Sequence, residues 1–158
     1  MGSYDKRIWT TPNSKIVFLD IDGVVGDFES HWNSPKWQNW EISDLPREFW
    51  ETIPLFTYSK DFYKALTDIV PVVFLTSPSS NPECVAGKHF WIEKHFKTRD
   101  FLLGGCKWAC AHHNAILIDD SQDKIERFGL AGGHTILFSN KFPWQSTVET
   151  VKRWASMQ

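Results

Sequence analysis

The stretch Ile16-Val17-Phe18-Leu19-Asp20-Ile21-Asp22-Gly23-Val24-Val25 decides the predicted fold, because two carboxylates and a glycine follow directly on an apolar run. A second acidic pair, Asp119-Asp120, ends a similar run, Ala115-Ile116-Leu117-Ile118. Short continuous runs of β-branched and aliphatic residues are typical of buried strands in a parallel sheet. Ligands of such sheets bind beyond the carboxyl ends of the strands. We therefore expect both acidic clusters at one edge of the sheet.

Two further apolar runs end in polar residues that would reach the same edge. Val72-Val73-Phe74-Leu75 leads into Thr76-Ser77-Pro78, and Phe101-Leu102-Leu103-Gly104-Gly105 precedes Lys107. Ligands bind beyond the carboxyl ends of such strands, so these polar residues are candidates for ligand contact. The Thr-Ser-Pro segment also fits a turn that only ends a strand. Two nearby lysines are alternatives to Lys107, namely Lys88 and Lys97.

Taken in chain order, these segments resemble the motifs of the haloacid dehalogenase (HAD) superfamily of aspartate-nucleophile phosphohydrolases. Asp20-Ile21-Asp22-Gly23-Val24 is similar to motif I, Thr76-Ser77 to motif II, Lys107 to motif III and Asp119-Asp120 to motif IV. Within the superfamily, the chain is most similar to the 5′(3′)-deoxyribonucleotidases, and the likeness spans about residues 14–140. Besides the Thr-Ser-Pro segment, this narrower likeness lies in Asp22-Gly23-Val24-Val25-Gly26-Asp27-Phe28-Glu29, in Lys88-His89-Phe90-Trp91-Ile92-Glu93-Lys94-His95-Phe96 and in Thr98-Arg99-Asp100.

The resemblance implies a fold and a layout for the chain. It implies an α/β, HAD-like Rossmannoid three-layer fold with a central parallel sheet and a small helical type 1 cap insert. Residues 1–158 would form a single HAD-like domain, with the cap insert at about residues 27–58. Caps of this family cover the phosphate and choose the leaving group.

Phosphate chemistry explains why such a site needs both carboxylates and cations. A carboxylate that attacks a phosphate dianion at about 4 Å meets a repulsion of about 8 kcal/mol at an effective dielectric constant of roughly 20. A lysine and a Mg²⁺ ion held by carboxylates would cancel this repulsion, and hard oxygen ligands suit Mg²⁺. Mg²⁺ is therefore the predicted cofactor.

Each acidic residue has a predicted role in this chemistry. Asp20 is the predicted nucleophile and a metal ligand. Asp22 would offer its backbone carbonyl to the metal, and its side chain would act first as general acid and then as general base. Asp120 is the predicted direct Mg²⁺ ligand of the second pair, while Asp119 would orient waters or the catalytic lysine, Lys107.

Six residues are predicted to contact the substrate. The Thr76 hydroxyl and nearby backbone N–H groups would hold the phosphoryl oxygens, and Gly23 would let the chain turn sharply beneath the phosphate. The other predicted contacts are Ser77, Lys88, Phe28 and Trp32, and the last two lie closest in sequence to the catalytic loop.

The insert is rich in aromatic residues, among them Trp32, Trp37, Trp40, Phe49 and Trp50. Aromatic faces near a phosphate site would stack a nucleobase, at about 1 to 3 kcal/mol per base. A short insert has little core of its own, however, so large rings also serve to dock it on the body. We expect the docking role for at least two of the four tryptophans. Trp144, after the last strand, is a further candidate for ligand contact.

Two other metal sites are weaker interpretations of the sequence. Val24, Val25 and His31 stand where an EF-hand calcium loop requires a ligand, a glycine and a glutamate. A second group of possible ligands matches no common structural zinc spacing. Its members are Cys106, Cys110, His112 and His113.

Helical spacing and end signals predict the helices of the body. Apolar spacing predicts a helix over residues 60–70, and Asn81-Pro82 opens another that runs to Phe96. A short helix is predicted over residues 107–113. The capping box formed by Ser146 and Glu149 is predicted to open the last helix.

Composition limits the class of protein and its partners. The 158 residues are 42% apolar and 23% charged, as expected of one soluble globule without a membrane span or a signal peptide at residues 1–4. The odd number of cysteines, three, favours reduced thiols and the cytoplasm. A net charge of −2 argues against broad nucleic-acid binding and favours a small phosphomonoester as substrate.

The sequence thus predicts a Mg²⁺-dependent phosphatase, of nucleotidase type by its resemblance, that acts on nucleoside monophosphates. Two alternatives remain open. A small cap would also leave the site accessible to a polymer, as in a 3′-end phosphatase of nucleic acid. A non-catalytic protein that binds a nucleotide or phosphate is the other alternative.

Overall fold

A computed structural model of the chain describes residues 14–158. Its five strands are β1 (Ile16–Leu19), β2 (Val72–Thr76), β3 (Phe101–Leu103), β4 (Ala115–Asp119) and β5 (His134–Leu137). They form one sheet in the order β3-β2-β1-β4-β5, and every neighbouring pair is parallel. The predicted α/β class and parallel sheet are confirmed.

Within residues 14–158, five α-helices and three short 3₁₀ turns connect these strands, and a sixth α-helix follows the last strand. The helices are α1 (Phe28–Trp32), α2 (Arg47–Glu51), α3 (Ser59–Thr67), α4 (Pro82–Phe96), α5 (Gln122–Leu130) and α6 (Trp144–Ser156). The 3₁₀ turns are Pro35–Trp37, Ile42–Asp44 and Lys107–Cys110. None of the helices within residues 14–158 has both the length and the hydropathy that a membrane crossing needs.

The central strand β1 brings the functional loops together. Near its end Leu19 lies beside Phe74 of β2 on one side and Ile118 of β4 on the other. Because all three strands run in the same direction, their carboxyl ends meet at one edge of the sheet. The chain segments that begin at Asp20, Ser77 and Asp120 therefore start from neighbouring positions.

Each face of the sheet has its own core, because successive side chains of a strand point to opposite faces. Val17 and Leu19 belong to the larger cluster, which also takes in the buried sides of α3, α4 and α6. Phe18 belongs to the smaller cluster and packs edge-on against Phe128 of α5, with ring centroids 6.3 Å apart. The sheet is thus the middle of three layers, as the resemblance implied.

The segment of residues 27–58 packs onto the larger core and shares it. Trp37 and Trp50 are only 2% and 3% exposed, and both belong to the cluster that contains Leu19. The docking role expected for at least two of the tryptophans is confirmed. Trp40, in contrast, is 41% exposed.

Helix α2 crosses α4 at a glycine. A Cβ placed on Gly87 would lie 2.4 Å from the Cβ of Trp50 and 3.1 Å from the Arg47 carbonyl oxygen. Real Cβ atoms do not approach so closely, so only glycine allows this crossing. Gly87 sits inside the 15-residue helix α4 despite its low helix propensity for this reason.

Three predicted helices differ from the structure at their ends. The first ends at Thr67 and not at residue 70. The segment predicted as a helix over residues 107–113 is a 3₁₀ turn that stops at Cys110, since Ala111 is already extended. The last helix begins at Trp144, so the predicted start at Ser146 is wrong: the Ser146 hydroxyl donates to the Pro143 carbonyl inside the first turn. The expectation about a signal peptide concerns residues 1–4, which lie outside the described residues.

Candidate active site

The loop after β1 holds two aspartates in a tight turn. The Asp20 N–H donates to the Ile118 carbonyl at 3.0 Å, which extends the contact between β1 and β4. The Ile21 carbonyl then accepts three backbone N–H groups from the following residues, at 2.9 to 3.1 Å. The chain turns at Gly23, whose φ of +78° lies in the left-handed region that favours glycine.

Lys107 joins the acidic groups of two strands. Its Nζ donates to Oδ1 of Asp20 at 2.7 Å and to Oδ2 of Asp119 at 2.6 Å. The three side chains are 2%, 5% and 0% exposed, in that order, so this ion pair lies almost entirely out of water. The other carboxylate oxygen of Asp119 accepts the Ser121 N–H at 2.9 Å. Asp119 thus has a partner on each carboxylate oxygen, and one of the two partners is Lys107.

Lys88 forms a second buried ion pair in the same site. Its Nζ donates to Oδ2 of Asp22 at 2.7 Å, to Oγ1 of Thr76 at 2.7 Å and to the Ser77 carbonyl at 3.2 Å. These three bonds use the three donors of an ammonium group. Burial alone would lower the pKa of Lys88, but the neighbouring carboxylates, Asp22 foremost, raise it above the ordinary value. Lys88 therefore stays charged and holds Asp22 in place.

Three carboxylates gather where a cation would bind. One oxygen from each of Asp20, Asp119 and Asp120 lies within 4.8 Å of the other two. Opposite ligands of an octahedral Mg²⁺ ion are about 4.2 Å apart, and the ion prefers oxygen donors. The residues present therefore fit this ion in donor type, since all three offer carboxylate oxygens.

The surroundings of Asp120 concentrate negative charge, which would favour a bound cation. Burial, followed by the nearby carboxylates of Asp20 and Asp119, raises the pKa of Asp120 to about 7. The side chain lies directly against Gly23: a Cβ there would be 2.0 Å from Oδ2 of Asp120. Gly23 is thus required both for the turn and for the space that Asp120 occupies.

A cavity of about 200 Å³ opens onto these groups. Among the predicted site residues, it is lined by Asp20, Asp22, Gly23, Phe28, Ser77 and Asp120. Thr76 and Trp32 are not in its lining: Thr76 is fully buried and accepts from Lys88, and Trp32 packs edge-on against Phe49 at 6.0 Å between centroids. Of the predicted Thr76–Ser77 pair, Ser77 is the residue that lines the cavity, and its hydroxyl donates to the Gly104 carbonyl at 3.4 Å.

The lining also contains residues that the sequence reasoning missed. They are Asp27, Glu29, Phe56, Lys124 and Asn140. Lys124 lies in the first turn of α5, four residues after Asp120, and no motif singles it out. Asn140 follows β5 by three residues, at the same edge of the sheet. A polar residue just after a strand end is a signal that could have found it.

A larger groove of about 640 Å³ continues from this cavity. The two spaces share four lining residues, which are Gly23, Glu29, Asp120 and Asn140. The groove extends along the loop between β5 and α6, from Ser139 to Pro143, and along the first turns of α6. The site is therefore accessible to a ligand much larger than phosphate.

The alternative metal sites find no support in the part of the chain that the structure describes. Within residues 14–158, the acidic cluster is the one group of three or more side chains that could share an ion. The cysteine and histidine ligands of the zinc interpretation do not form such a group. All three cysteines, Cys84, Cys106 and Cys110, are free thiols.

Comparison with known proteins matches the fold to solved HAD structures. The HAD domain of the effector protein Lem4 from Legionella pneumophila is similar to this chain at a TM-score of 0.56 and 11% identity, over 92% of this chain and 96% of that one. A haloacid dehalogenase-like family hydrolase from Xanthomonas campestris is similar at a TM-score of 0.61 and 11% identity, over 90% and 94%. No family model and no curated protein matches the chain. At this identity, the likeness shows the fold.

Proposed function

We propose that this chain is a Mg²⁺-dependent phosphomonoester hydrolase of the HAD superfamily, in which Asp20 is the nucleophile. One observation carries the proposal. The Asp20 carboxylate lines a cavity, while Lys107 and the cation site formed with Asp120 lie at the same carboxylate. A nucleophile for phosphate needs such cations, since two negative groups would otherwise repel each other.

Asp20 would attack the phosphorus atom with one carboxylate oxygen, and the bond to the leaving oxygen would break. The result is an aspartyl phosphate on Asp20. Bound Mg²⁺, held by Asp20, Asp120 and the Asp22 carbonyl, would supply charge neutralisation at the phosphoryl oxygens. Ser77, at the cavity, would hold a phosphoryl oxygen, with Thr76 contributing indirectly through Lys88.

Asp22 would transfer the protons of both half-reactions. Its Oδ2 accepts from Lys88, whereas its Oδ1 is buried and has no hydrogen-bond partner. A buried carboxylate oxygen without a partner is costly unless a ligand or water completes it. We infer that Oδ1 takes up a proton from solvent when the substrate binds, gives it to the leaving oxygen, and then takes a proton from the water that attacks the aspartyl phosphate.

We further propose nucleoside monophosphates as substrates, on the basis of the deoxyribonucleotidase-like motifs and the size of the adjoining groove. Scattered basic residues and a net charge of −2 favour a small-molecule partner over a nucleic acid. The cytoplasm remains the proposed compartment, which the three free cysteines support.

The test is phosphate release with Mg²⁺ and with EDTA, from 5′- and 3′-(deoxy)nucleoside monophosphates and from a 3′-phosphorylated oligonucleotide. Asp20→Asn should lose nearly all turnover at unchanged volume. Asp123→Asn is the matched control, because Asp123 is 76% exposed and lies outside both spaces at the site. Activity of Asp20→Asn within tenfold of the parent would contradict the assigned nucleophile.

Other outcomes separate the alternatives. Turnover of the oligonucleotide alone would move the function to nucleic-acid ends. Metal-dependent nucleotide binding without phosphate release would indicate a binding protein.

A further inference from the structure

We propose that the groove beside the catalytic cavity binds the leaving group of the substrate, with Phe142 as the stacking surface for a planar ring. This inference rests on the proposed phosphatase function and names the part of the site that selects the substrate. It assigns substrate selection to the loop between β5 and α6, whereas the sequence analysis assigned it to the cap insert at about residues 27–58.

Continuity with the cavity is the first observation. Four residues line both spaces, and these are Gly23, Glu29, Asp120 and Asn140. The leaving group of a phosphate ester bound at Asp20 would therefore extend along these shared residues into the groove. The cavity of about 200 Å³ holds little beyond the phosphoryl group, and the groove of about 640 Å³ has room for a nucleoside.

The second observation is an exposed aromatic side chain on an ordered turn. Phe142 is 72% exposed, and within residues 14–158 no other ring packs against it. The Phe142 N–H donates to the Ser139 carbonyl at 3.3 Å, and the Lys141 N–H donates to the Ser139 hydroxyl at 3.3 Å. Phe138 before this turn is 4% exposed, which anchors the turn to the core.

The aromatic residues at the cavity are already engaged in packing. Phe28 packs against Phe49 and Trp50 at 5.7 and 6.1 Å between centroids. Phe56 stacks on Tyr58 at 5.3 Å with an interplanar angle of 6°. Among the rings that line the two spaces, Phe142 is therefore the one without an aromatic partner, and aromatic faces bind bases regardless of their sequence.

The remaining lining favours an uncharged polar ligand. Side chains able to form hydrogen bonds also line the groove, and these are Ser139, Asn140, Ser146, Thr147 and Thr150. The charged groups are one cation, Lys141, and two acids, Glu29 and Asp120. A polynucleotide needs several clustered cations. A nucleoside, which carries no charge once its phosphate has been removed, fits this lining.

The test combines a substrate that lacks the base with a variant that lacks the Phe142 ring. The substrates are the four 2′-deoxynucleoside 5′-monophosphates and 2-deoxyribose 5-phosphate, which has the same sugar and phosphate but no base. In the parent, at least one base should raise kcat/KM about tenfold over the sugar phosphate, which corresponds to about 1.4 kcal/mol. In Phe142→Ala this advantage should disappear, mainly through KM, because ring stacking contributes to binding before and during the reaction.

Two further variants complete the experiment. Phe142→Trp keeps an aromatic face and should retain the advantage of the base. Leu130→Ala removes a side chain that is 90% exposed and lines neither space, so its kcat/KM values should equal those of the parent.

The possible failures are distinguishable. If the base gives no advantage in the parent, or if its advantage persists in Phe142→Ala, the groove is not the leaving-group site, while the phosphatase proposal stands. If the parent releases phosphate from none of the five substrates, the proposed nucleotidase function fails, and this inference fails with it.

Discussion

Replacing Lys88 with methionine should destabilise the protein by about 3 kcal/mol, because it breaks a buried ion pair and leaves Asp22 without its cation. The side chain of Lys88 is 2% exposed and that of Asp22 is 28% exposed. Breaking a fully buried pair costs about 3 to 5 kcal/mol, and the partial exposure of Asp22 favours the lower end. The bonds to Thr76 and Ser77 are lost as well.

Urea unfolding measures this change directly. With a urea dependence of about 2 kcal/mol per molar, a loss of 3 kcal/mol lowers the midpoint by roughly 1.5 M. Lys64→Met is the matched control: the Lys64–Asp68 pair has the same 2.7 Å separation, but its side chains are 73% and 63% exposed. Such a surface pair contributes about 0.3 to 0.5 kcal/mol.

The pH of the experiment follows from the sign of the pKa shift. The pKa of Lys88 is raised above its ordinary 10.5, so the stabilisation is complete at pH 7 and is lost only as the pH rises past 10.5 and through the folded-state value. At pH 7, a Lys88→Met midpoint within about 0.3 M of the Lys64→Met midpoint would refute the reasoning. The double variant Asp22→Asn/Lys88→Met should be no less stable than Lys88→Met, since it removes the unpaired carboxylate.

Three further predictions concern the metal site and the pH dependence of stability. Gly23→Ala should weaken Mg²⁺ affinity about 10- to 100-fold in calorimetry, because the new Cβ displaces Asp120. Gly132→Ala is its control, since Gly132 also has a positive φ, of +98°, but has open space around its Cβ position. Asp120→Asn should stabilise the metal-free protein at pH 8 but not at pH 4. The pKa of Asp120 is raised to about 7, so ionisation of its carboxyl group lowers the stability of the parent as the pH rises from about 4 to 7. Equal urea midpoints of parent and variant at pH 8 would contradict this prediction. Burial and nearby lysines lower the pKa of His95 to about 4, so the contribution of His95 to stability falls as the pH drops from 6.5 to 4, opposite in sign to that of Asp120. The urea midpoint of His95→Gln should therefore rise relative to that of the parent over this range, and a constant difference between the two midpoints would count against it.

The sheet and the edge where the site forms were predictable because short buried runs have a clear pattern. Helix α4 was predicted with its observed bounds, since Asn81 and Pro82 give an unambiguous start. The start of α6 was missed because Ser146 and Glu149 imitate a capping box, whereas the chain had already become helical at Trp144. Local signals of this kind do not show which of two adjacent starts tertiary packing selects.

The two lysines illustrate what a single sequence leaves open. Lys107 and Lys88 both lie in the site, but only the fold shows that one joins Asp20 to Asp119 and the other holds Asp22. A signal for Lys88 did exist. It shares a helix face with Cys84 and Trp91, both fully or almost fully buried, so helical spacing places a charge among apolar side chains. A charge in that position requires a buried partner.

The glycine crossing of α2 over α4 has a consequence for turnover. Since Gly87 and Trp50 are in contact and the insert shares the core of the body, swinging the insert away would expose large aromatic surfaces to water. Under the proposed function, substrate exchange is therefore expected to proceed through the groove beside the loop between β5 and α6, with no gating step by the insert. If the chemical step is slower than diffusion of substrate and product through the groove, the maximal rate should not change with solvent viscosity. Under the proposed function, exchanging the loop between β5 and α6 would be the practical way to alter substrate choice, because this change leaves the acidic cluster and its lysines untouched.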